Sequence, residues 1–412
     1  MEHRVVVTGM GVVSPIGCGV ELFEKNLFAG VCGIAPITRF DTTDFKVKLA
    51  AEVKDFDPLK WLTKIETKKM DRFTQYAVAA ACEAVAQSGI EGQIESENLG
   101  VYFGAGIGGF ETFVEEHNAL LTRGPARVSP MFIPKMIGNI AAGQIAIRFH
   151  ATGPCICVTT ACATGTGAIG EAYRAIRHGY AEAVIAGGAE ATIHPLAVAG
   201  FSNMTALSQN EDPCRASIPF DKERAGFVMG EGAGALVLES EEHAKARGAV
   251  ILGEMVGYGS ACDAHHITAP DPSAEASGRA FSLALREASY TAAEADAVYV
   301  NAHGTGTPMN DVTETNAIKR ALGEDAYRIH VSSTKSMTGH MLGAAGAAEA
   351  IASLLALNAG KIPPTIHYEI PDPDCDLDYT PNETKDAPLT LALSSSLGFG
   401  GHNSVIAFRR YR

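Results

Sequence analysis

The chain has 412 residues, 46% hydrophobic and 19% charged, with 47 acidic against 33 basic side chains for a net charge of −14. This composition excludes a disordered acidic chain and a coiled coil, and the 43 glycines follow no three-residue period, which excludes collagen. An acidic balance argues against broad nucleic-acid binding, which needs a basic face, and the length suffices for a core that needs neither disulfides nor metal.

The sequence opens Met1-Glu2-His3-Arg4 and runs directly into Val5-Val6-Val7, so no signal peptide is expected. No apolar run of about 18 residues is free of charge, so no membrane span is expected. Nine cysteines without a Cys-x-x-Cys pair point to reduced thiols in a cytosol. Cys155-Ile156-Cys157 lacks a matching His/Cys pair at finger spacing, and no metal is expected there.

In chain order, the β-branched residues 5–8 read as a buried strand ended by Gly9. Residues 73–88 read as a helix stopped by Gly89, 101–103 as a strand entering a glycine-rich turn, 162–178 as a helix and 183–186 as a strand. That alternation predicts a parallel sheet covered by helices. The grammar then repeats, with strands at 250–257, 297–300, 391–394 and 405–408, another ending near 332–335, and helices at 274–288, 311–322 and 343–357. A duplicated α/β unit is expected, divided into residues 1–249 and 250–412, with 200–250 as a connector rich in surface loops.

Four segments carry chemistry. Cys162 follows the β-branched run Val158-Thr159-Thr160 and opens an Ala/Gly-rich helix, where the positive end of the helix dipole favours thiolate. His303 lies in Asn301-Ala302-His303-Gly304-Thr305-Gly306-Thr307, a loop at the carboxyl end of a strand, where open α/β sheets place ligands. Lys335 and His340 share a second such loop ahead of an apolar helix that contains Glu349, a buried carboxylate in need of a partner. Gly398-Phe399-Gly400-Gly401-His402-Asn403 supplies glycines for close backbone approach and amides for an anion. Spacing alone does not unite Cys162 with the two histidines; a duplicated fold does, because equivalent strand ends meet at its centre.

Together these segments resemble the β-ketoacyl-acyl-carrier-protein synthases, and within them the type II branch of bacterial fatty-acid synthesis. The resemblance runs from Arg4-Val5-Val6-Val7-Thr8-Gly9 through Lys69-Met70-Asp71-Arg72-Phe73, Pro219-Phe220-Asp221-Lys222, Gly226-Phe227-Val228-Met229-Gly230-Glu231-Gly232 and Asp374-Cys375-Asp376-Leu377-Asp378 to the final glycine loop. It implies a thiolase-like fold with a duplicated five-layer α/β/α/β/α core, a cytoplasmic homodimer, and acyl carrier protein as partner. It implies that Cys162 takes an acyl chain from the carrier's phosphopantetheine, and that malonyl-carrier protein then loses CO2 and attacks the acyl thioester. His303 and His340 would donate to the malonyl thioester oxygen, the Cys162 and Phe399 amides would form an oxyanion hole, and Lys335 would orient the histidine loop and Glu349. Thr305 and Thr307 match pantetheine contacts, Ile107 an acyl-pocket position near the dimer interface, Phe201 and Phe399 aromatic gates, and Gly400 the close-approach loop. An acidic carrier needs a local basic patch on this acidic chain; Lys68 and Lys69 are assigned to it, with Arg123, Arg127 and Lys135 as a second basic group. No cofactor is implied beyond the carrier's own arm, apart from a monovalent cation near Asn301 and Glu349.

The chain departs from the family in places. Ser395 stands where the family has Asn, His265 where it has Tyr, Gly306 between the two threonines where it has Ser, and Ile218 where an Arg is common. A degradative thiolase would carry a second Cys near the last glycine loop, and none follows Cys375. A priming synthase would replace His340 by Asn. A non-catalytic chain-length partner would lack Cys162, and a cysteine hydrolase would have no use for two histidines on separate loops. A ketosynthase of a polyketide or specialised-lipid pathway is the alternative within the family.

Overall fold

The computed structural model describes residues 2–411. Its first half contributes strands β1 (Val5–Ser14), β2 (Leu99–Gly104), β3 (Cys155–Ile156), β4 (Ala183–Glu190) and β5 (Gly232–Ser240). The second contributes β6 (Gly253–Cys262), β7 (Val298–Asn301), β8 (His330–Ser332), β9 (Leu391–Gly398) and β10 (His402–Arg409). The lateral order is β3-β2-β4-β5-β1-β6-β10-β9-β7-β8, with the short strand Gly17–Cys18 added to β1. Each half therefore runs third, second, fourth, fifth, first. The pairing senses repeat as well: first–fifth and fifth–fourth are antiparallel, fourth–second and second–third parallel. The halves join where Val5, Val6 and Val7 pair antiparallel with Met255, Glu254 and Gly253. A duplicated unit with shared order and unlike residues is what these two topologies describe.

Alternating side chains show the layers. Val184 and Ala186 of β4, Leu236 and Leu238 of β5, Tyr299 of β7, and Ile406 and Phe408 of β10 all enter one central cluster. Their neighbours Ala183, Ile185, Ala235 and Val237 face an outer cluster on one side, and Val298, Val300, Val405 and Ala407 face a second on the other. A period of two that is apolar on both faces marks strands buried between helices. Helices α2 (Thr164–Arg177) and α4 (Ala345–Ala359) fill the centre, while α1 (Arg72–Ser88) and α3 (Glu275–Glu287) cover the outside. These are the five layers α/β/α/β/α.

Several elements differ from the sequence expectation. The first strand does not stop at Gly9 but continues to Ser14. Gly9 and Gly11 serve packing: a Cβ at either would lie 2.0 Å from a carbonyl oxygen of α1, that of Ala84 or Ala80. Residues 200–250 are more than a connector, since β5 is fully buried between β1 and β4. Its glycine- and alanine-rich start carries too little hydrophobic alternation to announce a strand. The stretch Leu342–Ala359 is long and apolar enough to cross a membrane by length and composition, yet it is almost wholly buried as the central core helix. Glu349, which breaks its apolar run, is held inside by Lys335.

Candidate active site

Cys162 sits in the tight turn Ala161–Ala163 between β3 and α2. The turn begins with Ala161 at φ +49°, a left-handed conformation that costs a non-glycine residue on the order of 1 kcal/mol. The other half builds the same elbow: Leu342, at φ +48°, opens the turn Leu342–Ala344 ahead of α4. Neither elbow is written in residue type, because Ala and Leu do not advertise left-handed backbone.

The final glycine loop closes on Cys162. A Cβ on Gly398 would lie 2.5 Å from the Thr160 oxygen and 3.2 Å from the Cys162 nitrogen, so only glycine admits this approach. The Phe399 N–H is thereby brought onto the Cys162 thiol. Cys162 keeps part of its surface open to a cavity, but burial pushes the thiol up to about 12, against Lys335, which lowers it. Desolvation thus works against the thiolate bias expected from the turn, and it outweighs the one cation nearby and the Phe399 N–H.

His303 leaves the end of β7. Its N–H donates to Glu314 Oε1 at 2.7 Å and to Ser395 Oγ at 3.2 Å, and the Gly304 N–H donates to Glu314 Oε2 at 2.7 Å. Ser395 Oγ in turn donates to Glu314 Oε1 at 2.7 Å. Burial pushes the Glu314 carboxyl up to about 7 against these bonds. Glu314 was not among the expected site residues; its one sequence signal is an acidic side chain on a helix, Pro308–Leu322, whose neighbouring residues are buried.

His340 is fixed by its own backbone. Its N–H donates to the Val228 oxygen at 2.7 Å, and the Gly230 N–H donates to its carbonyl at 2.8 Å. The Leu342 N–H donates to Nδ1 at 3.3 Å, which leaves the ring proton on Nε2. The His303 and His340 rings stand edge to face with centroids 5.2 Å apart, and Phe227 meets His340 at the same spacing. Burial, reinforced by Lys335, holds both imidazoles well below their usual range, so both are neutral at pH 7. Lys335 itself is buried in an ion pair with Glu349 and reaches the histidines through its field.

These groups surround one cavity of about 370 Å³, lined by Cys162, Phe201, His303, Thr305, Thr307, His340 and Phe399. Thr305 and Thr307 share a hydroxyl–hydroxyl bond of 2.9 Å on its wall. Phe201, on the helix Pro195–Asn203, packs edge-on to Phe227 at 5.6 Å. Gly400 lies outside the lining, in the turn between β9 and β10, where its N–H donates to the Ile267 oxygen at 2.8 Å. Ile107 also lies outside it and is 42% exposed. Lys68 and Lys69 are exposed at the end of the helix Lys64–Lys69, and Lys68 borders a separate polar hollow with Arg72 and Lys135. Among the described residues no group of three His, Cys, Asp or Glu is placed to hold a metal. Asn301 Oδ1 and Nδ2, Ser394 Oγ and Glu349 Oε2, however, are all buried without a partner.

Residues 2–244 match the family Beta-ketoacyl synthase, N-terminal domain, and residues 252–369 match Beta-ketoacyl synthase, C-terminal domain. The chain is 51% identical over 413 residues to the 3-oxoacyl-[acyl-carrier-protein] synthase 2 of Synechocystis sp., covering 100% of this chain and 99% of that one. It is 51% identical over 411 residues to the Staphylococcus aureus protein of the same name, with the same coverage. Among solved structures, the ishigamide ketosynthase/chain length factor superposes with a TM-score of 0.93 at 39% identity, over the whole of both chains. A type II PKS acyl-carrier protein in complex with its ketosynthase, bound to the hexaketide, gives 0.92 at 36% identity over the same extent. With both domains matched in order and a repeated topology that brings a cysteine elbow of one half against two histidine loops of the other, the chain belongs to the β-ketoacyl synthase family.

Proposed function

We propose that the chain is an elongating condensing enzyme in which Cys162 takes an acyl chain from acyl carrier protein and His303 and His340 drive its decarboxylative condensation with malonyl-carrier protein. The observation that carries this reading is the single cavity on which a cysteine of the first half faces two neutral imidazoles of the second. Cys162 sulfur bonds to the acyl carbon, the bond from that carbon to the pantetheine sulfur breaks, and the Cys162 proton ends on the departing pantetheine thiol. The amides of Cys162 and Phe399 hold the transient oxyanion. Malonyl-carrier protein then enters along Thr305 and Thr307. Loss of CO2 leaves an enolate whose oxygen receives hydrogen bonds from both imidazoles. Its carbon bonds to the acyl carbon, the bond from that carbon to Cys162 Sγ breaks, and the thiolate takes a proton from solvent, releasing 3-oxoacyl-carrier protein. Preorganised donors of this kind are typically worth about 3 kcal/mol each. Neutral imidazoles suit the task because a fixed positive charge would stabilise the malonate carboxylate as well as the enolate.

Identity favours fatty-acid elongation over a polyketide pathway, at 51% to the synthases against 36–39% to the polyketide-type structures. Lys68 and Lys69 would dock the acidic carrier, and their exposure supports this. A second copy would add to the outer strand β3, where Ile156 is 44% exposed, making a homodimer. Nine free thiols support a reducing, cytoplasmic setting. The unpartnered oxygens of Asn301, Ser394 and Glu349 fit a monovalent cation. Ser395 Oγ donates to Glu314 and to the Asn301 backbone oxygen, not to these side-chain atoms. Such an ion would supply fixed charge beside the Lys335–Glu349 pair.

The test is intact-mass analysis with acyl-carrier protein, followed by malonyl-carrier protein. Gain of the acyl mass on Cys162, then release of a carrier two carbons longer with a keto group, is the expected result. No loading would point to a non-catalytic partner, and release of free acid to a hydrolase.

A further inference from the structure

Glu190, at the end of β4, is fully buried and takes no part in the chemistry above. Its Oε2 accepts from the Gly106 N–H at 2.9 Å and the Gly343 N–H at 3.2 Å. Its Oε1 accepts from Ile107 at 3.3 Å and Gly108 at 3.4 Å. Four amides from two distant loops thus converge on one carboxylate. One loop carries Ile107. The other is the elbow that follows His340, in which Gly343 holds the place that Cys162 holds in the first half.

The junction has no slack. A Cβ on Gly343 would lie 2.3 Å from the Gly106 nitrogen and 2.9 Å from Glu190 Oε2, and one on Gly106 would lie 2.6 Å from that same oxygen. Thr159 Oγ1 adds a bond of 3.3 Å to the Ala105 oxygen, tying the Ile107 loop to the segment ahead of Cys162. Burial pushes the Glu190 carboxyl up to about 7, and the four amides are what oppose that push. A rigid planar group bonded on both sides transmits displacement: if the Ile107 loop moves, the carboxylate turns and the Gly343 amide follows.

We infer that Glu190 is a positioning residue that couples the Ile107 loop to the His340 elbow, so that an acyl chain displacing that loop, the acyl-pocket position the family resemblance implies, readies the histidine side for malonyl-carrier protein. This rests on the function proposed above and deepens it: acyl-chain discrimination and the order of the two half-reactions would share one strut. The amide of Glu190→Gln turns a donor toward two of the four N–H groups and opens the strut without changing its size.

Acyl loading of Cys162 is to be followed by mass for short, medium and long chains, and CO2 release from malonyl-carrier protein with and without prior acylation. For E190Q the expected result is a flattened chain-length profile. CO2 release without acylation should rise about tenfold relative to condensation, the scale of a typical coupling between sites. Glu190→Asp keeps the charge but is one methylene too short to span both loops, and gives the same readout should E190Q fold poorly. Thr159→Val cuts the neighbouring tie and should leave the coupling intact. An equal loss across all chain lengths, with CO2 release still dependent on acylation, overturns the inference and makes Glu190 a purely structural group. Failure of the unsubstituted protein to load any chain sinks the proposed function instead, and is distinguishable on that ground.

Discussion

His303 and His340 differ in how they are held. His340 is clamped by three backbone contacts, two with the distant Val228–Gly230 segment and one with Leu342 of its own loop, whereas His303 depends on Glu314 and Ser395 gripping its N–H. Replacing either by Ala should lower condensation by about a hundredfold or more, the effect of removing one preorganised donor, while acyl loading of Cys162 stays within a few-fold. Equal loss in both steps, read by intact mass, would contradict the division of labour. Glu314 gives a pH signature. Its ordinary value is 4.5, and the folded protein holds it near 7, so between these values the native state binds a proton that the unfolded chain has released. Stability from this group is therefore fully present below 4.5 and is lost as pH rises through 7. Relative to Glu314→Gln, the unsubstituted protein should lose up to about 3 kcal/mol between pH 5 and 8 in denaturant titrations. The buried histidines act with the opposite sign: their values are depressed, so their contribution is lost as pH falls below 6.5.

At the scale of elements, the closest approaches are made by glycine. β1 lies against α1 only because Gly9 and Gly11 present no side chain to the Ala84 and Ala80 carbonyls. Gly9→Ala must push a helix off a strand at the centre of the first half and should cost about 3 kcal/mol, read by thermal or urea unfolding, with the far-UV spectrum retained. A cost under 1 kcal/mol would mean that the layer spacing is softer than its geometry indicates. The two elbows work by the same economy. Each turns a strand-end loop into a central helix within three residues, and the second sets its Gly343 amide on Glu190 of the first half.

At the scale of the whole molecule, charge and assembly decide access. The net charge of −14 repels an acidic carrier, so binding depends on local cations. Lys68→Glu with Lys69→Glu should raise KM for acyl-carrier protein about tenfold with kcat little changed, and flatten the salt dependence of kcat/KM. A parallel fall in kcat would place the two lysines in some other role. Sedimentation should report twice the 43.2 kDa chain mass if a second copy completes the β3 edge. A monomer would leave Ile107 and Ile156 open to water and would count against the homodimer.

Much of this protein is local and therefore written in its sequence. Strand and helix types follow from the period of apolar residues, and the helix ending at Ser88 stops where Gly89 adopts φ +63°. The chemistry-bearing segments could be named because a nucleophile, two histidines and a glycine loop each follow a strand end, where backbone groups lie open. What lay beyond reach depends on contacts between residues far apart in the chain. β5 is not legible in the sequence, because its glycines and alanines carry no pattern of their own and become a strand only between β1 and β4. Glu314 and Glu190 looked like ordinary acids until the fold dried them and aimed amides at them. The local turn of Cys162 favours thiolate, whereas the packed surroundings, which the turn does not reveal, push the thiol the other way. Residue identity sets which groups can react. Burial sets their charge, and burial belongs to the folded whole.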